Sequence, residues 1–361
     1  MKILHIHPSL ECGGIEAMIC SLANQMVNNH DVYVCTIFRP TDDDVFLHKL
    51  DKRISVYSLN KIHSGFSVLE IWKIYRFICK YDFDVVHLHG FFYYYFLSVL
   101  FLHSRIKFIY TVHSDAKMEN SRWDNRLYFL KKTFFRKKYL IPVTISDVSR
   151  ASFESYYGTT PFLIYNGIPM PSSYNGTDPL IDYRYTPNTK IFLHLGRITK
   201  AKNQVVLCRV FDRLIKSGED VVLLIAGSKQ DMKIFSEIEP FLSVRIIYIG
   251  ERKDVNALLK YSDAMCLSSI WEGLPMTLLE ALSVGCIPIC TPVGGIPDVL
   301  QSDVNGLLSE DTSEESYYNV IRYFLGLSKE RIQLLSNNAT QSFEKYDIAT
   351  TAEEYIKLYA S

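Results

Sequence analysis

The stretch Ala264-Met-Cys-Leu-Ser-Ser-Ile-Trp-Glu-Gly-Leu-Pro-Met-Thr-Leu-Leu-Glu280 reads as one strand, one loop and one helix. Ala264–Leu267 is short, apolar and uncharged, as a strand covered on both faces must be. Pro275 suits the first helical position, where its missing N–H costs nothing. Glu272 then falls in the loop and Glu280 on the second helical turn, about 7–8 Å further along the axis. Between the two carboxylates lie the unpaired N–H groups of the helix start, which form a site for an anion. A phosphate held there would have a carboxylate for hydroxyl-bearing groups on either side. A nucleotide sugar has that layout: sugar, diphosphate, ribose.

The same unit recurs along the chain. Apolar runs at Ile3–Ile6, Val32–Ile37, Val85–Leu88, Phe108–Val112 and Leu140–Thr144 alternate with helical patterns such as Ile15–Val27, Val68–Cys79 and Leu127–Lys137. A second series has strands at Ile191–Leu195, Val221–Ile225, Ile246–Ile249, Ala264–Leu267 and Ile287–Cys290. Alternation at this pitch predicts an α/β protein with two Rossmann-like, doubly wound parallel sheets. Residues 1–168 would form the first domain and 189–342 the second. Residues 169–188 are the expected linker, centred on the Pro-, Gly- and Ser-rich run from Gly167 to Pro179. The tail, about 343–361 with Tyr355, Ile356, Leu358 and Tyr359, reads as a final helix. Two such domains would face each other across a cleft at the carboxyl ends of their strands, where ligands bind.

Composition excludes several classes. The 48% apolar and 22% charged residues describe a folded chain, not a disordered one. The net charge is zero, with 20 Lys/Arg against 16 Asp/Glu in residues 1–180, no footprint for nucleic acid. The eight cysteines (12, 20, 35, 79, 208, 266, 286 and 290) form no Cys-x-x-Cys pair and fall mostly in apolar runs, which predicts reduced thiols in a cytosolic setting. Met1-Lys2-Ile3-Leu4 runs directly into a strand and gives no signal-peptide pattern. The longest uncharged apolar run, Phe91–Leu102, is too short for a bilayer, which takes about 20 residues.

Gly-x-Gly-x-x-Gly occurs nowhere, which counts against a dinucleotide oxidoreductase. No Gly-x-Ser-x-Gly turn exists either, which counts against a hydrolase. Gly13-Gly14 opens a helix six residues after the first strand, so the pair would admit either an anion or a plain turn. In the second half, Leu195-Gly196-Arg197 closes a strand and Lys202 follows five residues later. Two fixed cations at a strand's carboxyl end can neutralise a diphosphate leaving group without a metal; two solvated surface charges would look the same.

These residues together resemble glycosyltransferase family 4, the GT-B enzymes of group 1. Leu195-Gly-Arg197 with Lys202 is similar to that family's phosphate clamp. Ile249-Gly250 is similar to its base-contacting turn, and Glu272-Gly-Leu-Pro with Glu280-Ala-Leu to its Glu-x7-Glu element. Gly285-Cys-Ile-Pro288, Gly294-Gly-Ile-Pro-Asp298 and Asn305-Gly306 resemble its closing signature. In the first half, Gly13-Gly-Ile-Glu16, Val85-Val-His-Leu-His-Gly90, Thr111-Val-His113 and Ile164-Tyr-Asn-Gly167 resemble family landmarks.

The resemblance implies a retaining hexosyltransferase that takes a UDP- or GDP-linked sugar, needs no metal or other cofactor, and elongates a surface polysaccharide or lipid-linked glycan. It implies that Arg197 and Lys202 grip the diphosphate, with Gly13, Gly14 and Gly196 allowing close backbone approach. Gly250, Glu251 and Arg252 would meet the base, and Glu280 the ribose. Glu272 would hold the donor sugar, assisted by the backbone of the Gly273, Leu274, Pro275 and Met276 stretch. His113 would hydrogen-bond the transferring sugar. The acceptor would be a glycan or a polyprenyl-diphosphate-linked saccharide. A nucleotide-sugar epimerase of similar fold, or a non-catalytic binding module, is the alternative.

Further patterns leave alternatives open. Asp42-Asp-Asp44 and Asp82-Phe-Asp84 match Asp-x-Asp but sit where a solvated loop and a cap are expected, so no metal is predicted. His87 and His89 share one face of a strand, and either line its end or pack as neutral imidazoles. Arg122–Lys138 interleaves basic residues with Trp123, Tyr128, Phe129, Phe134 and Phe135. That suits a contact with the inner face of the cell membrane, and equally a helix packed by its aromatics with a solvated basic face. Phe91–Phe96 would line an acceptor groove or join the core.

Overall fold

The computed structural model describes residues 1–361 except Cys12, Ser64, Ser172, Ser173 and Asn175. One of the eight cysteines and three positions of the expected linker therefore lie outside the described residues. The chain divides into two compact units, Met1–Pro169 with Tyr346–Ser361, and Met170–Lys345.

In the first unit the strands are β1 (Lys2–His7), β2 (Asp31–Phe38), β3 (Ser55–Lys61), β4 (Val85–His89), β5 (Lys107–Val112), β6 (Ile141–Thr144) and β7 (Phe162–Leu163). The helices are α1 (Gly14–Met26), α2 (Val68–Tyr81), α3 (Phe96–Leu102), α4 (Arg122–Arg126), α5 (Tyr128–Arg136) and α6 (Asp147–Tyr157). All strand pairs are parallel, in the order β3-β2-β1-β4-β5-β6-β7. The order reverses between β1 and β4, so their carboxyl ends flank the crevice of this sheet. β3 escapes the sequence reading because it is an edge strand, paired with β2 alone and only partly covered, so its sequence is not a continuous apolar run. β7, two residues long, carries no pattern at all.

The single helix expected over 127–137 is a correction. It begins five residues earlier, where Ser121 and Asp124 form a reciprocal capping box, and breaks at Leu127 into α4 and α5. Phe134 and Phe135 face the core, while Arg122, Arg126, Arg136, Lys137 and Lys138 are exposed. Lys131, counted among the basic residues of that face, is buried instead. Its Nζ donates to Tyr110 Oη (3.1 Å) and Asn120 Oδ1 (2.9 Å). Of the aromatic run after Gly90, Phe92, Tyr93, Tyr94 and Tyr95 are core residues and only Phe91 is exposed at its start.

The second unit contains β8 (Lys190–Leu195), β9 (Val221–Ala226), β10 (Ile246–Gly250), β11 (Ala264–Leu267), β12 (Ile287–Cys290) and β13 (Leu307–Leu308). Its helices are α7 (Gln204–Lys216), α8 (Met232–Ile238), α9 (Val255–Tyr261), α10 (Met276–Ser283), α11 (Ile296–Val299), α12 (Glu314–Leu325) and α13 (Lys329–Phe343). The sheet is again parallel, in the order β10-β9-β8-β11-β12-β13, and reverses between β8 and β11. Residues 180–188, read as linker, lie on this unit. Leu180 is buried, and the Arg184 guanidinium donates to Asp263 Oδ2 (3.0 Å) and the Tyr261 carbonyl (2.8 Å).

α14 (Ile348–Ala360) returns to the first unit, where it packs on α1. Asp347 caps it, accepting from Ala349 N (2.9 Å), and Ile168 exchanges backbone bonds with Tyr346 and Ile348 beside that cap. At its other end Lys107 Nζ donates to the carbonyls of Leu358 (3.3 Å) and Tyr359 (2.9 Å), a cation on the negative end of the helix dipole. The cysteines among the described residues are all free, and burial pushes most of their thiols up. No helix among those residues is long and apolar enough to cross a membrane.

Candidate functional site

In the second unit the site is built at the carboxyl ends of β8 and β11, where the sheet order reverses. Gly196 follows β8 with φ +157°, which favours glycine, and Gly227 follows β9 with φ +146°. A Cβ on Gly227 would overlap the Gly196 carbonyl oxygen, so the two strand ends touch backbone to backbone. Gly227 N in turn donates to the Gly250 carbonyl (2.9 Å). Three glycines thus sit side by side along the edge of the site. Gly196 and Gly250 were legible from their motifs; Gly227 was missed, though Val221–Ala226 ends on it in the same way.

The turn after Gly196 is rigidly held. Gln204, buried at the start of α7, donates through Nε2 to the Arg197 carbonyl (2.9 Å) and accepts from Thr199 N (3.4 Å). The same Nε2 lies 3.1 Å from His194 Nε2, and His194 Nδ1 lies 2.9 Å from the Cys266 carbonyl. Burial lowers the pKa of His194 to about 4, so it stays a neutral spacer between β8 and β11. Arg197 is exposed, and its guanidinium has no ion-pair partner among the described residues.

Lys202 closes this turn. Its carbonyl accepts from Ser268 Oγ (3.3 Å), and Ile270 N donates to the Ala201 carbonyl (2.8 Å), so the β11–α10 loop is pinned against it. Its Nζ lies 2.6 Å from Glu272 Oε1, which also accepts from Ser269 Oγ (2.6 Å). Thr291 Oγ1 donates to the Ser269 carbonyl (2.6 Å) and fixes that serine. Lys202 and Glu272, assigned to different ends of one ligand, are therefore each other's partner in this structure. Ser269 and Thr291 were missed because isolated hydroxyl residues carry no spacing signal.

Pro275 corrects the sequence reading by one position. It is the N-cap, with φ −70° and ψ 121°, and α10 begins at Met276. Glu280 remains on the second turn and is half-buried. Gly294, with φ +57°, explains the glycine pair of the closing signature. A Cβ there would overlap the Glu272 carbonyl oxygen, and Gly295 N donates to the Gly273 carbonyl (2.6 Å). Asn305 and Gly306 serve packing instead: Asn305 bonds Gln301 N and the Val299 carbonyl. After Gly250, Glu251 and Arg252 are both exposed, and the Arg252 guanidinium is held by Asp254 (2.8 and 2.6 Å).

The first unit brings together a row of buried histidines. His5 on β1 lies in register with His87 on β4, and His89 with Thr111 on β5. His113 follows β5. His89 Nδ1 lies 3.0 Å from His113 Nε2, and His89 Nε2 lies 3.4 Å from His5 Nδ1. His87 is satisfied by Tyr359 Oη (2.6 Å) and Thr111 Oγ1 (2.7 Å), the latter also 3.0 Å from Tyr355 Oη. Burial lowers the pKa of His5 and His113 to about 3, of His7 to about 4, and of His87 and His89 well below the ordinary value. All are neutral imidazoles. His5, His87 and His89 bring ring nitrogens within 4.8 Å of one another, but both nitrogens of His87 already have partners.

The His113 backbone N–H donates to Glu119 Oε2 (3.0 Å), while its Nδ1 has no partner among the described residues. Burial pushes the Glu119 carboxyl up and the Lys131 ammonium down, with each charge opposing the other's shift. Gly13 caps α1 in an extended conformation, and the Glu16 carboxylate folds back over it, where a Cβ on Gly13 would overlap Glu16 Oε2. The anion-binding end of α1, where Gly13 and Gly14 were expected to face a diphosphate, thus carries a carboxylate of its own. The Asp-x-Asp matches are structural. Asp44 is buried rather than solvated, accepting from Leu10 N (2.6 Å) and Thr41 N (2.7 Å), and Asp84 accepts from Lys2 N (2.7 Å).

Two family models match the chain in series. The one described as Glycosyltransferase Family 4 covers residues 12–170, and the one described as Glycosyl transferases group 1 covers residues 183–341. The chain belongs to the group 1, family 4-type glycosyltransferases, and its two Rossmann-like units are those of the GT-B fold. UDP-Gal:alpha-D-GlcNAc-diphosphoundecaprenol alpha-1,3-galactosyltransferase of Escherichia coli is 29% identical over 139 residues, 37% of this chain and 36% of that protein. N-acetyl-alpha-D-glucosaminyl L-malate synthase of Bacillus anthracis is 27% identical over 206 residues, 53% of this chain and 51% of that protein. The matched regions therefore span about a third to a half of these relatives' length. The crystal structure of Anabaena HepE in complex with UDP and glucose has a TM-score of 0.81 at 18% identity, covering 100% of this chain and 99% of that one.

Proposed function

We propose that this protein moves a hexose-type sugar from a nucleotide sugar to a glycan or lipid-linked acceptor, with retention of anomeric configuration and without a metal. The observation that carries the reading is the Lys202–Glu272–Ser269 constellation beside the exposed Arg197, at the switch point of the second sheet. Two cations and a carboxylate with a hydroxyl partner suit a ligand that is a diphosphate at one end and a polyol at the other. Glu280, on the second turn of α10, suits the ribose.

In this reading the bond from the sugar's anomeric carbon to the diphosphate oxygen breaks while Arg197 and Lys202 neutralise the charge left on that oxygen. The acceptor hydroxyl attacks from the same face, and its proton passes to the departing phosphate. His113 hydrogen-bonds the transferring sugar. Supporting a UDP-linked hexose, the E. coli relative is named for UDP-Gal and an alpha-1,3 linkage, and the HepE crystal held UDP and glucose. A diphosphoundecaprenol acceptor, in that relative's name, supports synthesis of a lipid-linked glycan at the inner face of the cell membrane.

The test is a thermal-shift screen of UDP-, GDP- and ADP-sugars, followed by transfer to a polyprenyl-diphosphate-linked saccharide with and without EDTA. Stabilisation by one donor class, an alpha-linked product by NMR and indifference to EDTA are expected. Epimerised sugar formed from donor alone would favour the epimerase reading, and no donor-induced shift would leave a binding module of another kind.

A further inference from the structure

The first unit carries a face whose chemistry the transfer reaction does not use. α2 turns Leu69 (60% exposed) and Trp72 (50% exposed) outward, and α3 turns out Leu100 (40%) and Phe101 (61%). The ring of Tyr75 joins Trp72 to Phe101. Trp72 stacks on Tyr75 (5.5 Å between ring centroids), and Tyr75 meets Phe101 edge-on (6.1 Å). A helix face left to water is ordinarily polar, and a contiguous apolar ridge marks an interaction surface.

The charges on this face are predominantly basic; the exposed carboxylates are at its far end, Asp82 capping α2 and Asp84 in a depression shared with Arg105. Arg76, Lys80 and Arg105 are exposed and have no ion-pair partner among the described residues. Residues 61–80, 91–105 and 122–138 contain two acidic side chains, Glu70 and Asp124, and both are buried (6% and 1% exposed). Just before α2, Phe66 stacks on Trp123 of α4 (4.3 Å), and the Arg126 guanidinium sits over that indole (4.4 Å).

We propose that the α2–α3 face docks on an anionic lipid bilayer, with Trp72 and Phe101 seated among the headgroups and Arg76, Lys80 and Arg105 on the lipid phosphates. Exposed aromatic and leucine side chains supply the apolar insertion, and each basic residue near such a surface adds attraction. A second copy of this chain fits less well. In a two-fold contact Arg76, Lys80 and Arg105 would meet their own images, and Asp82 and Asp84, at one end of the face, are outnumbered by them. The inference takes its purpose from the lipid-linked acceptor of the functional reading, but the surface itself rests on these side chains alone.

The experiment is co-sedimentation of the full chain, without sugar donor, with large unilamellar vesicles of phosphatidylcholine with or without phosphatidylglycerol. Partitioning at least tenfold stronger onto the anionic vesicles is expected. Trp72→Ser with Phe101→Ser should lower it at least tenfold, and Arg76→Glu with Lys80→Glu should remove the preference for phosphatidylglycerol. Brominated lipid should quench the wild-type tryptophan emission and lose that effect in Trp72→Phe. All four substituted side chains are exposed, and circular dichroism checks that the variants fold. Equal binding to both vesicle types, wild-type partitioning of the Trp72/Phe101 variant, or vesicle-free self-association that depends on those two residues would overturn the proposal. Transfer to a water-soluble acceptor analogue, retained in every variant, separates loss of docking from loss of the transferase.

Discussion

Lys202 Nζ stands 2.6 Å from Glu272 Oε1, and the two side chains are 19% and 10% exposed, so each is the other's counter-charge. In the proposed reading a diphosphate that claimed Lys202 would release Glu272 for a sugar hydroxyl, tying the two ends of the donor to one ion pair. Lys202→Ala should weaken binding of a nucleoside diphosphate about tenfold or more, since a charge-assisted contact is lost. Glu272→Ala should lower turnover about a hundredfold while binding of the bare nucleotide holds or tightens, because Lys202 is set free. Each variant should also cost about 1–3 kcal/mol of stability, below the fully buried case because the pair is partly solvated. Fold and site are thus not independent here. Calorimetry showing unaltered nucleotide affinity in Lys202→Ala would remove the clamp.

Gly294→Ala should be more damaging than either. The added methyl would overlap the Glu272 carbonyl oxygen, and φ +57° is itself unfavourable for a side chain. Backbone must move, and the loop that must move is the one presenting Glu272. A loss of at least about 2 kcal/mol in urea denaturation is expected, with turnover lost along with it. A stable, active Gly294→Ala protein would mean that the approach of Gly294 to the Glu272 carbonyl does not hold the loop.

How far the sequence alone reaches is clear from this loop. Most of the strands were legible because they are buried on both faces and so read as continuous apolar runs, and the switch-point motif because glycine, cation and carboxylate stand at fixed spacings. β3 was not legible, since an edge strand is half-solvated and mixes polar with apolar residues. Gln204, Ser269 and Thr291 were not legible either. Each acts through hydrogen bonds to neighbours brought close only by the fold. Lys131 shows the reverse error: a lysine read as surface charge by type is interior because Tyr110 and Asn120 wait for its ammonium.

In the first unit the bond between His89 and His113 sets the hydrogen-bonding character of His113. Each neutral imidazole carries one N–H, and His89 uses both nitrogens, toward His113 (3.0 Å) and His5 (3.4 Å). If His5 donates to His89, then His89 donates to His113, and His113 Nδ1 carries a proton to offer; if the chain runs the other way, Nδ1 is an acceptor. His89→Phe breaks this coupling without adding charge. Turnover should fall about ten- to a hundredfold, as when a supporting partner of a site residue is lost, with little change in donor KM. Nitrogen-15 spectra of the imidazoles should show His113 as a mixture of tautomers in the variant and as one tautomer in the parent. An unchanged His113 signal would show that His89 merely fills space.

Stability should fall steeply on mild acidification. His5 and His113 protonate in the folded chain only near pH 3, His7 and His194 near pH 4, and His87 and His89 lower than usual, whereas the unfolded chain takes up these protons near pH 6.5. Below pH 6.5 the unfolded state therefore binds more protons, so unfolding free energy drops as pH falls, until about pH 4 for His7 and His194 and about pH 3 for His5 and His113. Each histidine contributes up to about 1.4 kcal/mol per pH unit within its window. Glu119 works in the opposite sense. Its pKa is raised to about 7, so between the ordinary carboxylate range and pH 7 the folded state holds a proton that the unfolded state has lost. One such group offsets one histidine, and several histidines remain. Urea midpoints measured from about pH 7.5 down to about pH 5.5 should decline throughout the lower half of that range, and a flat profile would mean that the imidazoles reach water in the folded protein.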